Sequence, residues 1–261
     1  MFLKINSPQN EKIKNIAKLR ESGRERKKHG LFVIEGEREI NLAIAGGVEI
    51  ESLFYCAGYG RQKLRLAEEK VFEVSEKVFS KISWRENPDG LLAVAEIKEQ
   101  NLEDIKLGAN PLLIVLEAVE KPGNLGAILR TADAAGADAV VINDPGTDLY
   151  NPNVIRASQG TAFTVQAVVS SISETIKFCQ QNKIKIFTAA PAAKLEYVKA
   201  DYGTPCAIVL GAEDKGLSHE WLKAADEKIS IRMRGRIDSL NVSVSAAVIL
   251  FEALRQREAN K

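Results

Sequence analysis

The chain has 261 residues, of which 45% are hydrophobic and 27% charged, and its formal net charge is +1. This is the make-up of an ordinary globular protein with core enough to need no metal or disulfide, and it excludes a bulk-basic nucleic-acid binder. Cys56, Cys179 and Cys206 stand alone, with no CxxC and no His at ligand spacing. Together with the absence of a signal-like or membrane-length apolar run, this leads us to expect a soluble cytoplasmic protein without a metal.

In chain order, residues 1–28 carry nine basic side chains against three acids. Ser7-Pro8 reads as a helix start, with Ile13, Ile16 and Leu19 at helical spacing and basic residues elsewhere. That face is either solvated or turned to nucleic acid, and Lys12, Lys14, Arg24, Arg26, Lys27 and Lys28 are the candidate phosphate contacts. From Gly30 to about Glu96 short units alternate: strand LFVIEG, helix EREINLAIAGG, strand IESLFYC, strand-then-helix VFEVSEKVFSKIS and strand GLLAVAEI. We expect a small α/β domain over 1–97 and a linker, KEQNLEDIKLGANP, over 98–110. From Pro111 the alternation is cleaner: LLIVLE, GNLGAILRTADAAG, ADAVVIN, AFTVQAVV, SISETIKFCQQN, KIKIFTAA, CAIVLG, EKISI and a last helix from about Asn241 to Glu258. Near-continuous apolar strands between helices predict a parallel sheet covered on both faces over 111–261, with ligands at the strands' carboxyl ends.

Three loops at such ends stand out. EAVEKPGNLGAILRTADAAG places Asn124 at a helix start and Arg130 further in, where an Arg is a phosphate or carboxylate clamp or a structural ion pair. IVLGAEDKGLS ends a strand at Gly211 and flanks a turn with Glu213 and Lys215, but lacks phosphate-loop spacing. ISIRMRGRIDSLNVSVSAAVIL brings three Arg residues to a helix N-terminus where Ser239 and Asn241 suit a cap. More Arg than a cap needs suggests an anionic ligand.

Taken together, N-x-G-x-x-x-R-T-A, L-G-A-E-x-x-G-L-S and S-L-N-V-S-V-S-A-A closely resemble the three signature motifs of the SpoU (TrmH-type) RNA 2′-O-ribose methyltransferases of the SPOUT superfamily. The resemblance covers about 111–258. NEKIKNIAKLRESGRERKKHGLFVIEG is more loosely similar to the substrate-binding part of the ribosomal-RNA branch. The resemblance implies a deep C-terminal trefoil knot, an RNA-binding α/β domain ahead of it, a homodimer formed through the catalytic domain, and S-adenosyl-L-methionine as methyl donor. It puts Asn124 and Arg130 beside the RNA ribose and phosphate, and Glu213, Ser239 and Asn241 at the reacting centre. Thr188, Ala189, Leu210, Gly211, Ile231, Met233 and Leu240 would surround the cofactor, with Arg234 and Arg236 as further RNA contacts. Two positions depart from the family: Arg232 stands where proline is usual, and Lys121 replaces Asn or Asp.

Methyl transfer from a sulfonium needs alignment and proton removal but no covalent intermediate or metal. The family assigns its motif-one Arg as the base. A guanidinium stays protonated in proteins, so Arg130 is expected instead to bind the phosphate beside the target ribose. Rival readings are a transfer-RNA ribose methyltransferase, a knotted enzyme acting on a base nitrogen, and a non-catalytic RNA-binding or ribosome-assembly factor. A dinucleotide-dependent oxidoreductase is weaker, since no GxGxxG follows a first strand.

Overall fold

The computed structural model describes residues 3–60, 64, 66–212 and 214–259. It divides into two compact units, Met1–Lys98 with Asp148–Thr164, and Glu99–Thr147 with Val165–Lys261. Residues 148–164 thus pack with the first unit, although they lie inside the 111–261 span.

The first unit comprises β1 (Leu3–Ile5), α1 (Glu11–Glu21), α2 (Gly23–His29), β2 (Leu31–Glu35), α3 (Glu37–Ala45), β3 (Ile50–Tyr55), β4 (Val71–Val74), α4 (Glu76–Ile82) and β5 (Leu91–Glu96). The sheet order is β1-β4-β3-β5-β2, with β5 antiparallel to both its neighbours and the other pairs parallel. Alternation along β2 gives each face its own core. Val33 meets Ile13, Ile16 and Leu19 of α1 and Phe79 of α4, while Phe32 and Ile34 meet Ile40, Ile155 and Phe163.

The basic segment is two helices. Asn10 starts the first by accepting from Lys12 N at 2.9 Å, two residues beyond Ser7-Pro8. Ser22, extended at φ −125°, ends it and caps the second by accepting from Glu25 N. This break turns Arg26 inward, to 3% exposure. Its guanidinium donates to Asp148 Oδ1 and Oδ2 at 3.2 and 2.6 Å and to the carbonyls of Leu19 and Arg20. Arg26 is therefore a structural anchor, a correction to its expected place among the RNA contacts. Lys12, Arg24, Lys27 and Lys28 are exposed, and Lys14 pairs with Glu11.

The second unit holds β6 (Leu112–Glu117), α5 (Pro122–Ala135) and β7 (Ala139–Asn143). After an excursion to the first unit as α6 (Pro152–Ser158), it continues with β8 (Gln166–Val169), α7 (Ile172–Gln181), β9 (Lys185–Ala189), β10 (Leu195–Glu196), β11 (Cys206–Leu210), α8 (His219–Ala224), β12 (Glu227–Ser230) and α9 (Val242–Ala259). Its seven described strands run in the order β10-β12-β9-β11-β6-β7-β8, and every pair is parallel. The expected α/β sheet is present. The linker is not free chain. Leu102 and Ile105 are buried against Leu113, Val115 and Val168, after a capped turn at Leu102–Asp104. No described helix is long and apolar enough to cross a membrane.

Candidate active site

Four loops leave the carboxyl ends of β6, β9, β11 and β12, and the parallel register puts them at one edge of the sheet. The loop after β6 turns on Ala118, which adopts the left-handed conformation at φ 53° and donates to Asn143 O at 2.9 Å. A non-glycine residue held there is strained, a condition that often marks functional sites.

The loop after β11 doubles back on itself. Gly216, at φ 66°, donates to Ala212 O at 3.0 Å. A Cβ on Gly211 would sit 2.4 Å from the Gly216 carbonyl carbon and oxygen, so the crossing needs glycine. Buried Glu117 at the end of β6 accepts from Ser218 N at 2.8 Å and ties the loop down. Glu213, expected at the reacting centre, lies outside the described residues.

The loop after β12 runs irregularly from Ile231 to the start of α9. Arg232 pairs with Glu196 on edge strand β10 at 3.6 Å, which gives this departure from the family an intramolecular partner. Asn241 caps α9 and also reaches Asn124, its Nδ2 donating to Asn124 Oδ1 at 3.2 Å. Two residues 117 apart in sequence are thereby joined.

These loops enclose two adjoining cavities. The first, about 300 Å³, is lined by Ala189, Leu210, Gly211, Ile231, Met233, Ser239 and Leu240. Asp214, Lys215, Asp238 and Ser245 add a polar edge that the sequence reading had not assigned to a ligand. Thr188 is fully buried beside this wall without lining it, and its Oγ1 has no hydrogen-bond partner among the described residues. The second cavity, about 250 Å³, is lined by Ala118, Val119, Glu120, Lys121 and Asn124. Ala212, Asp214 and Val242 belong to both and form a common wall. Arg130 is exposed on α5 and lines neither, while Arg234 and Arg236 are exposed in the loop after β12.

The three cysteines are buried. Burial pushes the Cys179 thiol up to about 12 and raises that of Cys206 as well. Both stay protonated and unreactive, so neither is a nucleophile.

A SpoU rRNA methylase family model matches residues 111–251, more than half the chain. The chain belongs to this family. A model of an MRM3-like substrate-binding domain matches residues 10–93 of this SpoU-family chain. A 23S rRNA (guanosine(2553)-2′-O)-methyltransferase of Bacillus subtilis is 28% identical over 95% of this chain and 97% of its own length. A crystal structure of an RNA 2′-O ribose methyltransferase is 41% identical, with TM-score 0.83, over 98% of this chain and all of the other. The SpoU methyltransferase AviRb of Streptomyces viridochromogenes, solved with the cofactor AdoMet, has TM-score 0.86 at 26% identity over 96% of this chain and 100% of its own.

Proposed function

We propose that this protein transfers a methyl group from S-adenosyl-L-methionine to a ribose 2′-hydroxyl of ribosomal RNA, working in the cytoplasm as a homodimer. The observation that carries the reading is the pair of cavities sharing the wall Ala212, Asp214 and Val242. Methyl transfer needs donor and acceptor in adjoining sites, with the methyl group exposed at the seam.

The first cavity suits the donor. Ile231, Met233 and Leu240 offer an apolar wall for the purine, and Asp214 and Asp238 offer carboxylates for a cationic ligand. Bound there, S-adenosylmethionine supplies an electrophilic methyl carbon. Lys121 and Asn124 in the second cavity would hold the nucleotide, and Ser239, Asn241 and Glu213 would complete the centre. Arg130, on the exposed face of α5, would bind the phosphate beside the target ribose and ease release of the hydroxyl proton. Arg234 and Arg236, with Lys12, Lys14, Arg24, Lys27 and Lys28, would add phosphate contacts. Ribosomal RNA is favoured over transfer RNA because the B. subtilis rRNA enzyme is matched along nearly all its length.

Two further points belong to this reading. The C-terminal segment is expected to be knotted, since β12 lies outside β9 while α9 packs back on α5 and β11. The dimer is expected to form through α9, where Val244 and Phe251, two turns apart, are 46% and 49% exposed.

The test is transfer of labelled methyl from S-adenosylmethionine to transcribed 23S rRNA, followed by alkaline hydrolysis. Alkaline cleavage needs a free 2′-hydroxyl, so ribose methylation leaves label in resistant dinucleotides. Label in mononucleotides would mean base methylation. Absence of cofactor binding by calorimetry would favour the non-catalytic RNA-binding factor.

A further inference from the structure

The loop after β11 supplies Gly211, Ala212, Asp214, Lys215 and Gly216 to the wall of the first cavity. Its outgoing arm is fixed by the sheet, because Leu210 ends β11 and pairs with Leu116 of β6. Its returning arm ends at Ser218, which caps α8 by accepting from Trp221 N at 3.4 Å. A capping residue has a backbone N–H that its own helix cannot satisfy, and a Glu or Gln three residues on often accepts from it. In α8 that position is Trp221, and an indole has no acceptor to offer. The acceptor comes instead from Glu117, 101 residues away, whose Oε2 takes the Ser218 N–H at 2.8 Å. Glu117 ends a strand whose other five residues are Leu, Ile or Val, and it is 6% exposed. Burying a carboxylate is costly, and the cap of a six-residue helix does not call for it. A Glu within α8 would have fixed only that helix's first turn, whereas a Glu on β6 fixes the loop to the strand beside it.

We infer that Glu117 is a positioning residue for the methyl donor. By holding the Ser218 N–H it clasps the returning arm of the loop to β6 and keeps residues 211–216 folded into the wall of the first cavity. The inference rests on the reading of that cavity as the S-adenosylmethionine site. Glu117 lines neither cavity and acts only through the loop. Without the clasp the loop is closed for only part of the time, and the apparent affinity falls by the fraction closed. A loop already closed on bound cofactor is the same loop as before. The clasp therefore governs affinity for the donor and leaves the rate of transfer at saturation alone.

Two variants of similar length separate the acceptor from the bulk of the side chain. Glu117→Gln keeps an oxygen for Ser218, and Glu117→Met keeps the length but offers no strong acceptor. Glu117→Met is expected to raise the KM for S-adenosylmethionine, and its Kd by calorimetry, about tenfold, with kcat at saturating cofactor within about threefold of wild type. Glu117→Gln should stay within about threefold on all three quantities. Hydrogen exchange reads the clasp itself. In Glu117→Met without ligand, residues 211–218 should exchange faster than in wild type while β6 and β11 do not, and added cofactor should slow them again. Equal cofactor affinity in Glu117→Met and wild type would overturn the inference. Faster exchange throughout the chain would also overturn it, by making the role one of general stability. Wild type alone provides a check that no failure to fold can spoil: the Ser218 amide should be protected in the free protein, and exchange at the rate of an open chain would overturn the clasp. Exchange needs no ligand, so its result is separate from the functional reading. A wild-type protein with a protected Ser218 amide that binds no S-adenosylmethionine would overturn that reading, and with it the role of the clasp.

Discussion

Replacing Arg26 by alanine removes a guanidinium that is 3% exposed and leaves Asp148 and two carbonyls without their donor. Breaking one side of such a pair costs about 2–3 kcal/mol when the acid partner is partly solvated, as Asp148 is. Arg26→Ala should therefore lower the denaturation midpoint clearly. Exposed Lys27 and Lys28 lie in the last turn of α2, and replacing both by alanine should change stability by less than about 1 kcal/mol while weakening RNA binding and flattening its salt dependence. Equal RNA affinity in the double variant would return that helix to the solvent. Gly211 is a second position where the letter matters. Gly211→Ala puts a methyl group against backbone at 2.4 Å and forces the two arms of its loop apart. S-adenosylmethionine affinity should fall at least about tenfold by calorimetry. An unchanged value would mean that this crossing does not shape the cavity. Glu35, 1% exposed, is where stability should depend on pH. Burial raises its pKa against the lowering effect of hydrogen bonds from Ser83 and Trp84 and of nearby Arg85. The folded state thus holds the proton more tightly than the unfolded chain. Above the raised pKa, wild type bears the cost of a buried charge, and that cost is relieved as pH falls through it. The stability difference between Glu35→Gln and wild type should therefore shift toward wild type as pH is lowered from neutral. A difference independent of pH would refute the linkage.

Among the elements, α9 makes the clearest prediction. Val242, Ala246, Ile249 and Leu250 are buried, yet Val244 and Phe251 form an apolar strip on the outer side. Phe251→Glu would place a charge in the proposed subunit interface, and if α9 forms it, sedimentation should show a dimer for wild type and a monomer for the variant. Unchanged sedimentation would remove α9 from the contact. Apart from β10, a two-residue strand with no pattern of its own, the strands from β2 to β12 were legible because continuous apolar runs or alternation leave few other readings. The excursion after β7 was not, because α6 is seven residues long and its partners, Phe32 and Ile34, lie more than a hundred residues earlier. The second cavity was equally hidden, since Ala118 and Val119 are letters without chemistry until a left-handed turn brings them to a rim. The burial of Arg26 was hidden too. It precedes the apolar strand LFVIE by only five residues in a segment that also holds Leu19, but the stripe of Ile13, Ile16 and Leu19 ends with α1, and the break at Ser22 that turns Arg26 inward has no periodic signature. The meeting of Asn124 with Asn241 could come only from resemblance, because no spacing rule links positions 117 apart.

At the scale of the whole molecule, the return of residues 148–164 to the first unit means that neither unit is a continuous stretch of chain. Phe32 packs against a tilted Tyr150 ring and stacks with Phe163 at centroid distances of 4.5 and 5.8 Å, and Gly46 lies so close to the Phe163 carbonyl that a Cβ there would clash. A fragment ending at residue 98 would leave this aromatic cluster half-built and open to water. Such a fragment should aggregate, and a peptide spanning 148–164 supplied in trans should restore its solubility. The same arrangement orders events at the ribosome. The amino-terminal unit cannot close when its own ninety-eight residues have emerged; it has to wait until β6, α5 and β7 of the second unit have been synthesised and the chain has come back. A nascent chain stalled before residue 148 would remain sensitive to protease along its whole length, and one stalled well past residue 164 would yield a protected amino-terminal core.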